Sequence, residues 1–208
     1  MKTVDKREFF LIRHAESMGN IGLDTGYDPL LSPLGHAQAK QSAEFMKQFC
    51  NQQDTLILAS PFNRCLITAE EIAKTSNLTF QIVTELQEFF QADWFPIKKI
   101  SFESLKLKAE RYIHITGNYD NSQWWPEKNE TLDEFSIRMA IFRNKLTGNT
   151  FSSKKIVLIG HWASIQQLAQ HMVPTINMNV VKNGAVTKIN YINGKFQTEF
   201  INKLCLQD

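Results

Sequence analysis

The sequence predicts an α/β fold, a three-layer α/β/α sandwich with a mostly parallel central sheet and a helical lid insertion. Three observations point there. Short apolar runs of strand length alternate with longer segments of helical spacing. The runs are continuous rather than alternating with polar residues, as in strands covered on both faces. Serine–proline pairs, a helix-start signal, stand before two of the helical segments. The 208 residues are long enough for one domain with a substantial core, and a single domain over 1–208 is expected.

In chain order, Glu8 to Ile12 reads as a buried strand that runs straight into a polar cluster, RHAES. Ser32-Pro33 starts a helix on which Ser42, Phe45, Met46 and Phe49 follow helical spacing. Thr55 to Ala59 (TLILA) is the next strand, and Ser60-Pro61 repeats the start signal before RCLITAEEIA. Thr79 to Val83 is a third strand. The stretch from about 94 to 129 breaks the pattern and reads as the lid: it carries Trp94, Trp124-Trp125 and PEKNE. Within it a basic helix over Ser101 to Ile113 would align Phe102, Leu105, Ala109 and Tyr112. Thr131 with Glu134 forms a capping box, followed by Phe135, Met139, Phe142 and Leu146 on one helix face. Ile156 to Ile159 is a fourth strand. Val186 to Ile192 and Phe196 to Ile201 form a hairpin across Asn193-Gly194.

Composition narrows the function classes. A formal charge of +2 with scattered basic residues gives no footprint for nucleic acid or an anionic membrane, so neither is expected as a partner. The N-terminus, MKTVDKRE, is charged and is followed by only four apolar residues, so neither a signal peptide nor a membrane span is read there and a cytoplasmic location is expected. Cys50, Cys65 and Cys205 are odd in number and far apart, which suits reduced thiols rather than a disulfide framework or a zinc site. The glycosylation patterns at Asn77 and Asn129 have no consequence without a secretory signal.

Three motifs follow predicted strands directly, where open α/β sheets bind ligands. They are RHAES with Asn20, SPFNRCLITAE with Arg64, and GHWAS with His161. Any one of these residues alone reads as an ordinary structural histidine or a solvated arginine. Two arginines and two histidines at junctions along one sheet edge form a constellation suited to an anion.

These motifs resemble the histidine phosphatase superfamily, also called the phosphoglycerate mutase-like family. Arg13-His14 matches its RHG or RHA tripeptide, Asn20 its asparagine six residues after the nucleophile, SPFNRCLITAE its SPxxRAxxTA helix and GHWASI its SHGGxI turn. ELQEFFQADW resembles its LxE segment, PEKNETLDEFSIRM its GETxxxFxxR helix, and NGAVT a late strand. The resemblance implies that His14 attacks phosphorus to form a phosphohistidine, that Arg13, Arg64, His161 and Asn20 bind phosphate, and that Glu88 donates and then accepts a proton. Glu85 is the rival for that last role. Ser17 is expected either to give its hydroxyl to phosphate or to cap the backbone, the Trp162 backbone N–H is expected to face the phosphate, and Glu16 is expected to be positional.

The chemistry fits. A phosphoryl group in flight spreads negative charge over its oxygens, so catalysis needs positioned cations and donors. Arginine forks supply them, and two neighbouring arginines keep a nucleophilic histidine neutral. No PCxxC follows the HAE of His14 to Glu16, and no HExxH, Walker A or GxSxG motif occurs, so neither a metal nor a cofactor is expected.

The reading is a metal-independent phosphomonoesterase acting on a small phosphorylated substrate. A phosphoglycerate mutase is the alternative within the enzymes, disfavoured because IGLDTGYDPLLSPLG stands where the mutases carry an FTGW-like segment. A catalytically weak phospho-ligand or protein-binding module is the alternative outside them, supported by Trp94, Trp124 and Trp125. Around the site Phe89, Phe90, Trp94, Trp124, Trp125 and Trp162 would form an aromatic rim. The lid cations Lys98, Lys99, Lys106, Lys108 and Arg111 are expected to be solvated.

Overall fold

The computed structural model describes residues 6–24, 26–91, 102–125 and 128–203. Trp94, Lys98, Lys99, Ser101, Cys205 and the first part of PEKNE lie outside them. Six strands form one sheet in the order β3-β2-β4-β1-β5-β6. They are β1 (Lys6–Arg13), β2 (Thr55–Ala59), β3 (Phe80–Ile82), β4 (Lys155–Gly160), β5 (Val186–Ile192) and β6 (Lys195–Lys203). The β3-β2-β4-β1 part is parallel, and β5 and β6 add antiparallel strands at one edge. The hairpin between them turns at Asn193 and Gly194, whose φ values of 49° and 83° are both left-handed, as a two-residue turn matched to strand twist requires.

Alternation along β1 divides the core into two layers. Phe9 and Leu11 pack with residues of α4 (Leu132–Thr147) and α5 (Trp162–Met172), including Phe135, Met139, Phe142, Ile165 and Leu168. Phe10 and Ile12 face the other way, onto α1 (Pro33–Lys47) and α2 (Asn63–Ser76), through Ala43, Met46, Leu66, Ala69 and Ile72. The result is helix, sheet, helix. The predicted caps at Ser32 and at Thr131 with Glu134 are both present.

Two local expectations change. Ser60 does not cap α2: the helix begins at Asn63 with Phe62 as its N-cap, and the Asn63 N–H donates 2.7 Å to Asp28 Oδ1. The cap is supplied from 35 residues away in sequence, and Ser60 is freed for another contact. The basic helix predicted over 101–113 shortens to α3 (Leu105–Ala109), capped by Ser104. Past Ala109 the chain tightens into bonds three residues long, from Arg111 N to Lys108 O and from Tyr112 N to Ala109 O. It then pairs with β3, Phe80 N donating to His114 O and Thr116 N to Phe80 O. Strand pairing outweighs the helix. Among the described residues no helix is long and apolar enough to cross a membrane.

Candidate active site

The register of two strands builds the centre of the site. Arg13 lies opposite Gly160 at the parallel ends of β1 and β4, so the next residues, His14 and His161, leave the sheet side by side. Their ring centroids are 5.2 Å apart. Arg64, in the first turn of α2, reaches both rings: Nε donates 3.2 Å to His14 Nε2, and Nη2 lies 3.1 Å from His161 Nδ1. The sequence motifs therefore converge.

The hydrogen bonds assign the tautomers. The Ala15 carbonyl, 2.7 Å from His14 Nδ1, can only accept, so Nδ1 carries the proton and Nε2 presents its lone pair. A guanidinium can only donate, so His161 Nδ1 accepts from Arg64 and Nε2–H points to Ser60 Oγ at 2.8 Å. Both rings are neutral in this arrangement. Burial, then the charges of Arg64 and Arg13, hold the His14 pKa well below its ordinary 6.5. His161 is lowered in the same way, by burial first, then by Arg64, His14 and Arg13.

Positive charge is concentrated beside the His14 lone pair. Arg13 Nη1 donates 2.7 Å to the Val181 carbonyl, which fixes its side chain. Its Nε, and Nη1 of Arg64, are buried donors with no hydrogen-bond acceptor among the described residues. Buried donors of this kind call for an anionic ligand, because an unpaired buried polar group is costly.

Glu88 is held at the start of α5. Its Oε2 accepts from Ala163 N and its Oε1 from Ser164 N, both at 3.2 Å, and Oε1 also accepts from Phe89 N at 2.9 Å. Burial raises its pKa against the lowering effect of these N–H groups and of Arg64. Glu85 is engaged elsewhere, 2.6 Å from Lys145 Nζ.

Asn20 Oδ1 accepts from Ser17 N at 2.9 Å, from Ser17 Oγ at 3.0 Å and from Asn183 Nδ2 at 3.3 Å, leaving its own amide N–H groups as the donors it can offer a ligand. Asn183 also donates to the His14 carbonyl, which ties this turn to the end of β1. Ser17 is thus committed to the turn through its hydroxyl. Glu16 is positional: its Oε1 accepts from Ser32 Oγ at 2.6 Å, and Ser32 in turn caps α1. Gly35 permits this, since a Cβ there would meet Glu16 O at 1.9 Å. Trp162, 46% exposed, turns its side chain outward at the N-terminus of α5.

A profile of the histidine phosphatase superfamily (branch 1) matches residues 9–204, almost the whole chain. The chain belongs to the histidine phosphatase superfamily. Among curated proteins it is 26% identical over 165 residues to the adenosylcobalamin/alpha-ribazole phosphatase of Escherichia coli K12, covering 79% of this chain and 78% of that one. It is 27% identical over 169 residues to the transcription factor tau 55 kDa subunit of Saccharomyces cerevisiae, covering 78% of this chain but only 38% of that protein. Among solved structures, the alpha-ribazole phosphatase of Shigella flexneri aligns with a TM-score of 0.68 at 20% identity, over 94% of this chain and 96% of that one. The phosphoserine phosphatase of Entamoeba histolytica, in complex with phosphoserine, aligns with a TM-score of 0.67 at 20% identity, over 95% and 97%. As a histidine phosphatase the chain is classed with the phosphoric monoester hydrolases.

Around this cluster the structure adds residues that the sequence did not single out. Asp28 stands 4.0 Å from Arg64 Nη1. Ser60 orients His161, and Thr68 Oγ1 accepts from Ala15 N at 3.1 Å while donating to Arg64 O at 2.7 Å. Phe62 lies edge-on to His161, with centroids 5.0 Å apart, and Arg64 Cζ sits 4.6 Å over its ring. Ser60, Phe62 and Thr68 share the SPFNRCLIT motif with Arg64, which was the available signal. The expected aromatic rim is only partly there: Phe89 packs on Phe135 in the core, and Trp124 is buried with its indole N–H donating to Glu103 O. The expectation of solvated lid cations fails at Lys108, which is 1% exposed and paired with Asp28.

Proposed function

We propose that the protein is a phosphomonoesterase that works through a phosphohistidine on His14, without needing a metal. The observation that carries this reading is the tautomer of His14, whose Nε2 lone pair faces the Arg64 guanidinium, with Arg13 on the same residue pair. An anion drawn to the two arginines brings its phosphorus to that lone pair. In the first step Nε2 bonds to phosphorus as the ester P–O bond breaks, and the electron pair leaves on the substrate oxygen. Arg13 and Arg64 neutralise charge on the transferring oxygens, and the Asn20 amide donates hydrogen bonds to them. His161 becomes a donor to phosphate through a change of tautomer or by taking up a proton.

Glu88, kept protonated more readily by burial, gives its proton to the departing oxygen. In the second step the same carboxylate takes a proton from water, the water oxygen bonds to phosphorus, and the N–P bond breaks to return neutral His14 and inorganic phosphate. The substrate is a small phosphomonoester. The relatives are named for such different compounds as alpha-ribazole and phosphoserine, so the superfamily frame does not choose among them.

The mutase reading is weaker, because a phosphoglycerate carries a carboxylate besides its phosphate and needs additional cations at the mouth. Lys108 is spoken for by Asp28, and Arg111 by Glu103. The deciding experiment is rapid quench with a 32P-labelled monoester in metal-free buffer. Label should appear on the protein in an acid-labile, base-stable linkage, and His14→Ala should lose both label and turnover. Label on a serine or an aspartate would overturn the mechanism.

A further inference from the structure

Two nitrogens of Arg64 meet histidines, Nε at His14 and Nη2 at His161, while Nη1, without a hydrogen-bond acceptor among the described residues, lies 4.0 Å from Asp28 Oδ1, an ion-pair distance. The two histidine contacts are those an incoming phosphate would replace. The ion pair with Asp28 leaves Nη1 free to donate to the anion and persists beside it, because Asp28 is anchored elsewhere, its Oδ1 accepting from the Asn63 backbone N–H at the start of the same helix. A carboxylate this close to the phosphate-binding guanidinium would by itself cancel much of the charge that binds the anion. Its other oxygen is bonded to Lys108 Nζ, which also donates 3.2 Å to Asn63 Oδ1 and lies 5.8 Å from the Trp124 ring centroid. An ammonium only 1% exposed is unusual unless it has a charge to answer.

From this geometry we infer that Lys108 and Asp28 form a charge relay that sets the anion affinity of the site: Lys108, carried by α3, neutralises Asp28 so that Asp28 can orient Arg64 without quenching it. Both are positioning residues. The inference deepens the phosphatase reading and rests on it for the identity of the anion. It has a structural corollary, since Lys108 belongs to the segment 102–125, so the docking of that segment governs how strongly the centre holds phosphate. Phe102 and Trp124, packed on Phe62 at 5.3 and 5.4 Å, hold it there.

The test is a charge-swap cycle on the full chain, read by calorimetric binding of inorganic phosphate and by p-nitrophenyl phosphate kinetics, with thermal melting as the check on folding. Lys108→Met leaves Asp28 unanswered, so phosphate affinity and kcat/KM should each fall about tenfold or more. Asp28→Asn in the same chain removes the stranded charge, and the double variant should recover most of the lost affinity. Asp28→Asn alone should bind phosphate at least as tightly as the native protein while kcat falls, because the guanidinium keeps its charge and loses the ion pair that biases its orientation. That single variant decides the matter if Lys108→Met does not fold. Unchanged phosphate affinity in folded Lys108→Met, no recovery in the double variant, or weaker phosphate binding in Asp28→Asn would overturn the relay. Phosphate binding that follows this pattern in a protein without turnover would sink the phosphatase reading and leave the relay standing.

Discussion

His14 and His161 meet edge to face, 5.2 Å between centroids, and hold opposite tautomers. His14 is protonated on Nδ1 because only the Ala15 carbonyl is there to receive it, and His161 on Nε2 because Arg64 already donates to its Nδ1. One guanidinium thus donates to two imidazoles, which only neutral rings can accept. The arrangement leaves an unprotonated Nε2 on His14 and stores a cost that appears when either ring takes up a proton.

That cost has a definite sign. Both histidines have folded pKa values well below 6.5, so the unfolded chain binds more protons than the native one between those values and 6.5. The stability they contribute is complete above 6.5 and is lost as pH falls through the depressed values. Acidification from pH 7 should lower the melting temperature, with a slope reaching about 1.4 kcal/mol per pH unit for each histidine. A His14→Gln/His161→Gln variant should show a distinctly shallower dependence in the same buffers; an unchanged slope would mean that other groups carry it.

Arg64 and Glu88 should fail differently. Arg64→Ala removes charge from the transition state for every monoester, on the order of 3 kcal/mol of barrier whatever the leaving group. Glu88→Gln removes only the proton, so an alkyl phosphate should suffer far more than p-nitrophenyl phosphate. Because burial raises the Glu88 pKa, native activity on alkyl phosphates should decline as pH rises through that value, and Glu88→Gln should abolish the decline. Equal damage to both substrates would remove Glu88 as the acid.

Arg138 binds the backbone segment that carries Glu88. Its Nη1 donates to the carbonyls of Glu85 and Gln87 at 2.7 and 3.1 Å, Nη2 reaches Glu88 O at 3.4 Å, and Nε and Nη2 both bind the Glu130 carboxylate at 2.7 Å. Arg138→Lys keeps the charge beside Glu130 but cannot span three carbonyls. Turnover of an alkyl phosphate should drop about tenfold through misplacement of the acid, with p-nitrophenyl phosphate nearly untouched. A uniform loss on both substrates would assign Arg138 to folding alone.

The clustering of Arg13, His14, Arg64 and His161 was legible in the sequence because each lies at or a few residues past a strand end, which is readable from a few adjacent residues. Arg13-His14, Arg64 and His161 are placed by the register of β1, β2 and β4, and the hairpin at Asn193-Gly194 by its own two residues. Contacts made at long range were not legible. Asp28 caps α2 from a distant loop, so the local serine signal at Ser60 pointed to the wrong start. Lys108 looks like one more charge on an amphipathic helix until the fold sets Asp28 against it. Phe89 directly follows Glu88, yet its ring packs on Phe135 against the core.

What remains at the mouth gives the last prediction. Trp162 directly follows His161 and exposes nearly half of its surface, and Phe62 forms an apolar wall against the His161 ring. A planar leaving group stacking on Trp162 gains from apolar burial, about 25 cal/mol per Å² removed from water, and from ring-to-ring contact. A phosphoglycerate gains neither, and among the described lid cations Lys108 and Arg111 are already paired. Aryl and nucleoside monophosphates should therefore be hydrolysed with higher kcat/KM than 2- or 3-phosphoglycerate, with no interconversion of the latter two when 2,3-bisphosphoglycerate is supplied. Trp162→Ala should reduce kcat/KM for p-nitrophenyl phosphate roughly tenfold, about 1.4 kcal/mol, and leave glycerol phosphate almost unchanged. The loss should fall mainly on KM, since the ring is held alike in the ground and transition states. Efficient phosphoglycerate interconversion, or a Trp162→Ala effect equal on both substrates, would show that the mouth does not select by aromatic contact.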